Sequence, residues 1–358
     1  TALGGQQEQV LLPVLILSSV RDLGEFGRAG AQGVLLLTVS LLGLAVLTRL
    51  GGLSSIYGGV AARRARRPGV AARRWGALTY SPRMGATFGW LSERAAVVGF
   101  VRGAHAVLVG AILLFLAAPT IAAIPASLTS GTFLGLPPRG LSLRWYQTVL
   151  TDPTWTSAIT TSLVVSIPAA LLATILGFCA ALTLVRGYAK ARSAYMTFLL
   201  LPMLMPHVVT ALGLFFVTIA VGQAFTERAL VIAYTLFALP TSVIVMTASL
   251  QGFDWDLDRA AQSLGAGWSQ RLRHVLVPLL RPAVLVSLLF AFLTSYTELI
   301  FALLMQTVTL TTVPVKMWTG ILYGISPAIA AAAGLMVVAT GAAFAVSALI
   351  RRGPRPVS

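Results

Sequence analysis

One acidic side chain of this sequence sits inside an apolar run: Glu298, about two-thirds along the stretch near 283–305. A charged group at a bilayer centre costs about 2.5–3.5 kcal/mol on insertion scales, so it should face a bundle interior or water. Ser295, Tyr296 and Thr297 put hydroxyls beside it, able to satisfy the carboxylate or line a polar passage. Two readings stand. Glu298 is a pathway residue favouring a cationic or strongly hydrogen-bonding solute, or it is an interfacial carboxylate satisfied by water near the outer headgroups. Pro202 and Pro206 interrupt a second apolar run beside His207. Such breaks are tolerated at membrane depth where the freed carbonyls face protein or a cavity. This one reads as a packed kink or as a cavity wall, and Pro206 joins Ser295, Tyr296 and Glu298 as a candidate translocation-pathway residue. Pro119, Pro168 and Pro240 read as ordinary kinks.

Catalytic patterns do not occur. No G-x-x-x-x-G-K-[ST] is present and neither Lys190 nor Lys316 follows a glycine, so nothing is set to cradle ATP phosphates. No His, Cys and carboxylate cluster has metal-ligand spacing, and no nucleophile–base pair suggests itself. The single cysteine, Cys179, excludes an internal disulfide and reads as a small buried hydrophobe. The chain is read as no enzyme by itself, binding no metal and no cofactor.

A second kind of chemistry is mechanical. Asp256–Pro282, DLDRAAQSLGAGWSQRLRHVLVPLLRP, is a charged, Ala-rich segment between two long apolar runs. Leu257, Ala260, Ala261 and Leu264 fall at i, i+3, i+4 and i+7, which puts them on one helical face. Gly265 and Gly267 interrupt that helix, and Leu272, Val275 and Leu276 start a second amphipathic turn. Pro278 and Pro282 mark the start of the next apolar run, where a missing N–H is tolerated. A short exposed helix gripped between two spans suits the reception of force from a soluble partner.

The elements that must hold these residues are membrane spans. Mean hydropathy is +0.87; only 10% of residues are charged and 57% are hydrophobic, far from the composition of a soluble domain. Seven apolar runs are near the length of about 20 residues that a bilayer core requires. They lie near 31–49, 104–127, 157–185, 194–221, 229–250, 283–305 and 325–350. If the 256–282 loop is cytoplasmic, so are 49–103, 186–193 and the tail from Arg351, and 20 of the 26 Lys and Arg then fall on that side. This is the positive-inside pattern. The net charge of +16 therefore needs no nucleic acid, and the dense tract Arg63–Arg74 is read as an anchor on anionic lipid. No basic n-region precedes an apolar h-region, so no signal peptide is expected. The fold class expected is all-α, a polytopic membrane helix bundle.

The charged segment resembles the EAA loop of ABC-importer permeases, written EAA, three residues, Gly, nine residues, Ile-x-Leu-Pro. Arg259-Ala260-Ala261 is followed by Gly265 and then by Val275-Leu276-Val277-Pro278 in that register. Arg259 replaces the motif's acidic residue, two valines replace Ile and Leu, and Asp258 supplies a carboxylate one position early. From about 104 onward the arrangement resembles the six-span type I permease. Leu141–Tyr146, Thr311–Val315 and Gly324–Pro327 are similar to its spermidine/putrescine-type or iron(III)-type branch. The resemblance implies an ATP-driven importer subunit for a small polar solute in a bacterial inner (plasma) membrane. Its partners would be an ABC ATPase dimer carrying ATP and Mg, an extracytoplasmic solute-binding protein, and a second permease half that is fused, paralogous or homodimeric. It assigns ATPase coupling to Leu257, Asp258, Arg259, Ala260, Ala261, Leu264, Gly265, Gly267, Trp268, Pro278 and Pro282. In related permeases an acidic residue often stands where Glu298 does, which adds weight to the pathway reading.

An internal repeat sets the domain expectation. Leu12-Pro13-Val14 matches Val313-Pro314-Val315, and the same offset superposes Ala31 on Ala332 and Gly33 on Gly334. Residues 1–50 are then the outer loop and last span of a truncated preceding permease repeat, 51–103 a basic cytoplasmic linker, and 104–358 a complete six-span domain. An unrelated extra N-terminal helix is the alternative. Two rival functions remain open: a proton-coupled secondary transporter using Glu298, and a non-functional truncated tandem permease.

Overall fold

The computed structural model describes residues 95–351 apart from 134–136, 139, 188–191 and 325, together with residues 31, 32, 34, 35 and 38. Those five isolated residues are helical; otherwise the expectations for 1–50 and for the linker tract up to residue 94 lie outside the described residues. Among the described residues there is no strand, only one isolated bridge between Thr129 and Leu141. The helices are α1 (Ala95–Ser127), α2 (Arg144–Thr151), α3 (Pro153–Arg186), α4 (Arg192–Leu204), α5 (His207–Ala220) and α6 (Glu227–Gln251). They continue as α7 (Trp255–Ser263), α8 (Trp268–Arg271), a π-turn (Leu272–Leu276), α9 (Val277–Tyr296), α10 (Ile300–Met305), α11 (Val313–Tyr323) and α12 (Pro327–Arg351). The all-α expectation holds.

The centre is a three-helix bundle of α3, α6 and α9, with the most extensive packing between α3 and α6. Small residues make that closeness possible. Ala170 and Ala173 of α3, Ala238 of α6 and Ala291 of α9 meet in one buried cluster. At Gly177 a Cβ would lie 2.6 Å from that of Ser242 on α6, so only glycine fits there. Where lipid is as apolar as the side chains, close backbone approach of this kind is what holds helices together. The face of α3 turned away from the bundle carries exposed Leu163, Ile167, Leu171 and Ile175. On the periphery, α12 packs on α1 and α2. Tyr146 of α2 donates to or accepts from the Ser127 hydroxyl at 2.7 Å and presses on the backbone of Gly334.

Among the described residues, four helical stretches are long and apolar enough to cross a membrane: Gly103–Ser127, Pro153–Arg186, Glu227–Gln251 and Trp268–Tyr296. The break expected in the run at 194–221 falls at Pro206 and not at Pro202, which lies inside α4: α4 and α5 meet at 95°, with Pro206 extended at the corner (φ −58°, ψ 126°). Proline disfavours helical geometry in the residue before it and lacks the donor that would bridge the break. The run expected at 283–305 begins earlier and ends sooner, because the helix is continuous from Trp268 to Tyr296 and restarts only at Ile300. Pro278 and Pro282 therefore do not open a fresh helix. The ring of Pro278 crowds the carbonyl four residues back, and the turn before it is widened into the π-turn instead. Pro282 lies inside α9. α12 runs unbroken through 25 residues, Pro327–Arg351. Cys179 is exposed rather than buried.

Candidate functional site

Two places in the bundle carry the candidate residues, and they lie at opposite ends of α9. At its start is the segment α7–α8. Asp254 caps α7, its carboxylate accepting from the Asp256 N–H at 3.0 Å. The helix ends at Ser263; Leu264 follows it, and Gly265 takes a left-handed conformation (φ +84°). The Gly265 and Ala266 N–H groups bond back to the carbonyls of Gln262 and Ala261, so the glycine closes the helix in a way that other residues resist. Gly267 then starts α8, and its N–H donates to the Gln270 side chain at 2.9 Å.

The expected contact face is open to solvent. Leu257 is 47% exposed, Leu264 89% and Trp268 45%. Ala260 is exposed as well, Ala261 half-buried, and Leu264 stands just beyond the helix rather than on it. The inner face is anchored through Leu276 and Leu280, which pack with Ala181 of α3 and Met246 and Leu250 of α6.

The sequence leaves open which residue takes the motif's acidic place, and the geometry distinguishes the two. Arg259 is exposed and pairs with Asp256 one turn back. The Asp258 side chain is 1% exposed, and its Oδ2 accepts from Arg186 at 2.7 Å and from Arg271 at 3.1 Å. Arg271 also donates to Gln262 at 3.2 Å. The Arg186 guanidinium lies 4.8 Å from the ring centroid of Trp255 and 5.4 Å from that of Trp268, and Arg271 lies 5.5 Å from Trp268. These are cation–π distances. Arg186 and Trp255 were not singled out in the sequence; a basic residue closing a long apolar helix was the available signal, because it also complements that helix's dipole.

At the far end of α9 the helix breaks over Thr297–Leu299. The Thr297 hydroxyl bonds back to the Leu293 carbonyl at 2.8 Å. Glu298 is buried at 6% exposure. Its Oε1 accepts from the N–H groups of Ile300 at 3.1 Å and Phe301 at 3.4 Å, capping α10. Its Oε2 lies 3.8 Å from Nδ1 of His207, the first residue after the α4–α5 break. The two helix breaks therefore face each other across a carboxylate and an imidazole. Tyr234 of α6 donates to the Glu298 carbonyl at 3.3 Å. The neighbouring hydroxyls do not serve the carboxylate. The Ser295 hydroxyl is buried with no hydrogen-bond partner among the described residues. Tyr296 stacks on Phe292 and lines a mainly apolar cleft of about 270 Å³ with Trp155, Val313 and Met336. An acidic residue directly before a run of seven apolar residues is a helix-start signal, and it was available at Glu298. Among the described residues no group of three or more His, Cys, Asp or Glu could hold a metal ion.

The stretches likened to one branch of permeases occupy the end of the bundle away from α7. Trp145 donates from its indole N–H to the Gly131 carbonyl at 3.1 Å. Lys316 of α11 donates to the Thr154 hydroxyl at 2.8 Å. The Val313 N–H donates to Ser162 of α3 at 2.8 Å. Asp152 caps α3 through the Thr154 hydroxyl and N–H. These bonds, with the weaker Trp155 N–H and the charge of Lys316, hold its carboxyl below the ordinary value of 3.8.

Comparison with known proteins agrees with this architecture. Residues 173–352 match the family described as binding-protein-dependent transport system inner membrane component. The chain is 30% identical over 218 residues to the spermidine/putrescine transport system permease protein PotC of Haemophilus influenzae, covering 61% of this chain and 85% of that one. It is 30% identical over 209 residues to the putrescine transport system permease protein PotI of Escherichia coli, covering 56% of this chain and 74% of that one. Among solved structures, a bacterial alginate ABC transporter in complex with an alginate pentasaccharide-bound periplasmic protein superposes with a TM-score of 0.53. It is 20% identical and covers 69% of this chain and 93% of the matched one, a likeness of fold. With the family match, the identity to named permeases and the multi-pass helical architecture together, the chain belongs to the binding-protein-dependent transport system inner membrane component family, the permease components of ABC importers.

Proposed function

We propose that this chain forms part of the membrane passage of an ATP-driven importer for a small polar solute, polyamine-like or iron(III)-like, in a bacterial inner membrane. The polyamine alternative draws support from the relatives named above. ATP and Mg bind a separate ABC ATPase dimer and not this chain. The ATPase cleft receives α7 and α8, with Leu257, Ala261, Leu264 and Trp268 as apolar anchors, since aromatic and apolar side chains carry most interface energy. The observation that carries the reading is the junction below that face. It is exposed on one side, packed on the bundle core on the other, and continuous in one helix from Trp268 to Tyr296.

A shift of α7–α8 therefore travels through Pro278 and Pro282 along α9. Its 20 residues span about 30 Å, and at their end stand Ser295, Tyr296 and Glu298. Displacing that end alters how the Glu298 carboxylate meets His207 and the Pro206 corner, which opens or closes a polar passage to a cationic or strongly hydrogen-bonding solute. The outer loops at 128–156 and 306–324 receive a solute-binding protein. A second permease half, fused, paralogous or homodimeric, completes the passage, and lipid covers the remaining apolar faces.

Gly265→Val tests the assignment. A Cβ there meets open space, so the substitution acts on the left-handed turn alone, at about 1–2 kcal/mol. Membrane insertion and ATP hydrolysis persist while uptake is lost. Uptake at the unsubstituted rate, measured in vesicles containing the complete transporter, would count against α7–α8 as the coupling segment.

A further inference from the structure

The continuity of α9 explains how one central helix follows the coupling segment; it does not explain α3, whose last residue, Arg186, stands 72 positions before Asp258 of α7. The geometry points to Arg186 as a positioning residue that clamps the coupling segment to α3, so that the two helices move as one. This inference rests on the docking role proposed above for α7–α8.

Arg186 is the last residue of α3, and its guanidinium reaches Asp258 of α7 at 2.7 Å. The same guanidinium lies over Trp255 and Trp268, which come from the first residues of α7 and α8. One side chain of the central bundle thus engages both halves of the coupling segment. α7 itself packs on α8 and the π-turn, and the Asp258 carboxylate is its buried charged tie to α3. A fully desolvated carboxylate holds its partners tightly, because losing one leaves charge uncompensated in a low-dielectric setting. Arg is suited to the role: its planar fork bonds a carboxylate while its faces lie on aromatic rings, and a lysine cannot do both. Arg271 on the same oxygen belongs to the coupling segment, so it stabilises the fold of the loop without linking it to α3. The other oxygen, Oδ1, has no hydrogen-bond donor among the described residues, and among them Arg186 supplies the bond that crosses between the two elements.

Cys179 provides a native reporter. It is the one cysteine of the chain, two turns before Arg186 on α3, and it lines a shallow cleft of about 280 Å³ between α3, α4 and α6. The test measures the rate at which N-ethylmaleimide labels Cys179 in the complete complex with its ATPase, nucleotide-free and trapped with ATP and vanadate. The expected result is a change of rate on trapping in the unsubstituted protein, and loss of that change in Arg186→Gln while the ATPase still traps nucleotide. A merely structural role would lower the amount of complex and leave the trapping-dependent change intact. The same change in Arg186→Gln as in the parent would overturn the clamp, as would a parent whose Cys179 rate ignores trapping. In both cases the docking reading would stand. A parent complex that traps no nucleotide would instead remove the docking reading and the clamp with it. If Arg186→Gln does not assemble, Arg186→Lys decides: a diminished change supports the clamp, and a full change overturns it.

Discussion

The two ends of α9 each bury a carboxylate, and they satisfy it by opposite means. Asp258 is held by two cations from different elements, Arg186 of α3 and Arg271 of α8. Glu298 is held by the backbone N–H groups of the next turn, Ile300 and Phe301, and has a half-exposed imidazole 3.8 Å away. The first arrangement ties separate pieces together and resists change. The second fixes the position of a carboxylate while leaving its charge without a tight cationic partner, which is the state in which it can serve a passing cation. One helix thus joins a locked end to an adaptable one.

The largest effect follows from unlocking the first end. Asp258→Ala leaves two guanidiniums beside each other without a counter-charge and is expected to cost about 3 kcal/mol, the low end for breaking a buried pair because Arg186 keeps access to solvent. Thermal unfolding of the purified protein checks this, and an unchanged midpoint would erase the contrast. Glu298→Gln comes next. The amide oxygen can still cap α10, so stability should fall by no more than about 1 kcal/mol, while affinity or selectivity for a cationic solute changes. Unchanged uptake kinetics would remove Glu298 from the passage and return it to a capping role. The smallest effect concerns a third carboxylate, Asp152, which caps α3 at the other end from Arg186. Its native pKa lies below 3.8, so its stabilisation is complete above that value and is lost as pH falls through the lower native one. Asp152→Asn retains a capping oxygen and should abolish this acid-side loss with little change at neutral pH. An identical acid profile in a melting series would show that the cap does not matter.

Much of this was legible in the sequence because it rests on local signals. Hydropathy located α3, α6 and the end of α1 to within a few residues, since a span's length is set by the bilayer and not by its neighbours; α1 starts nine residues before the expected run. The Gly265 stop and the exposed face of α7 followed from spacing. The breaks were harder. Pro202 and Pro206 both signalled an interruption of the run at 194–221, but the 95° corner forms only at Pro206, and Pro202 stays inside α4. At 297–299 no proline or glycine marks the break, which depends on Glu298 capping the helix that follows. The pairings were not legible at all. Arg186 is 72 residues from Asp258, and nothing in either neighbourhood names the other; likewise His207 reads as a lone histidine until the two breaks are folded together. Asp258 could be seen as an acidic residue one position early, but its burial needed the structure, since a register of one residue on a helix turns a side chain by about 100°.

The claim beneath the rest is that the exposed turn around Leu264 is where an ATPase grips the bundle. Replacing Leu264 with a photo-reactive amino acid and irradiating the complete complex in membranes tests it directly. The account predicts one dominant adduct, with the ATPase subunit, whose yield changes when nucleotide is added. An adduct with the solute-binding protein, or none with the ATPase in a complex that still contains it, would contradict the account.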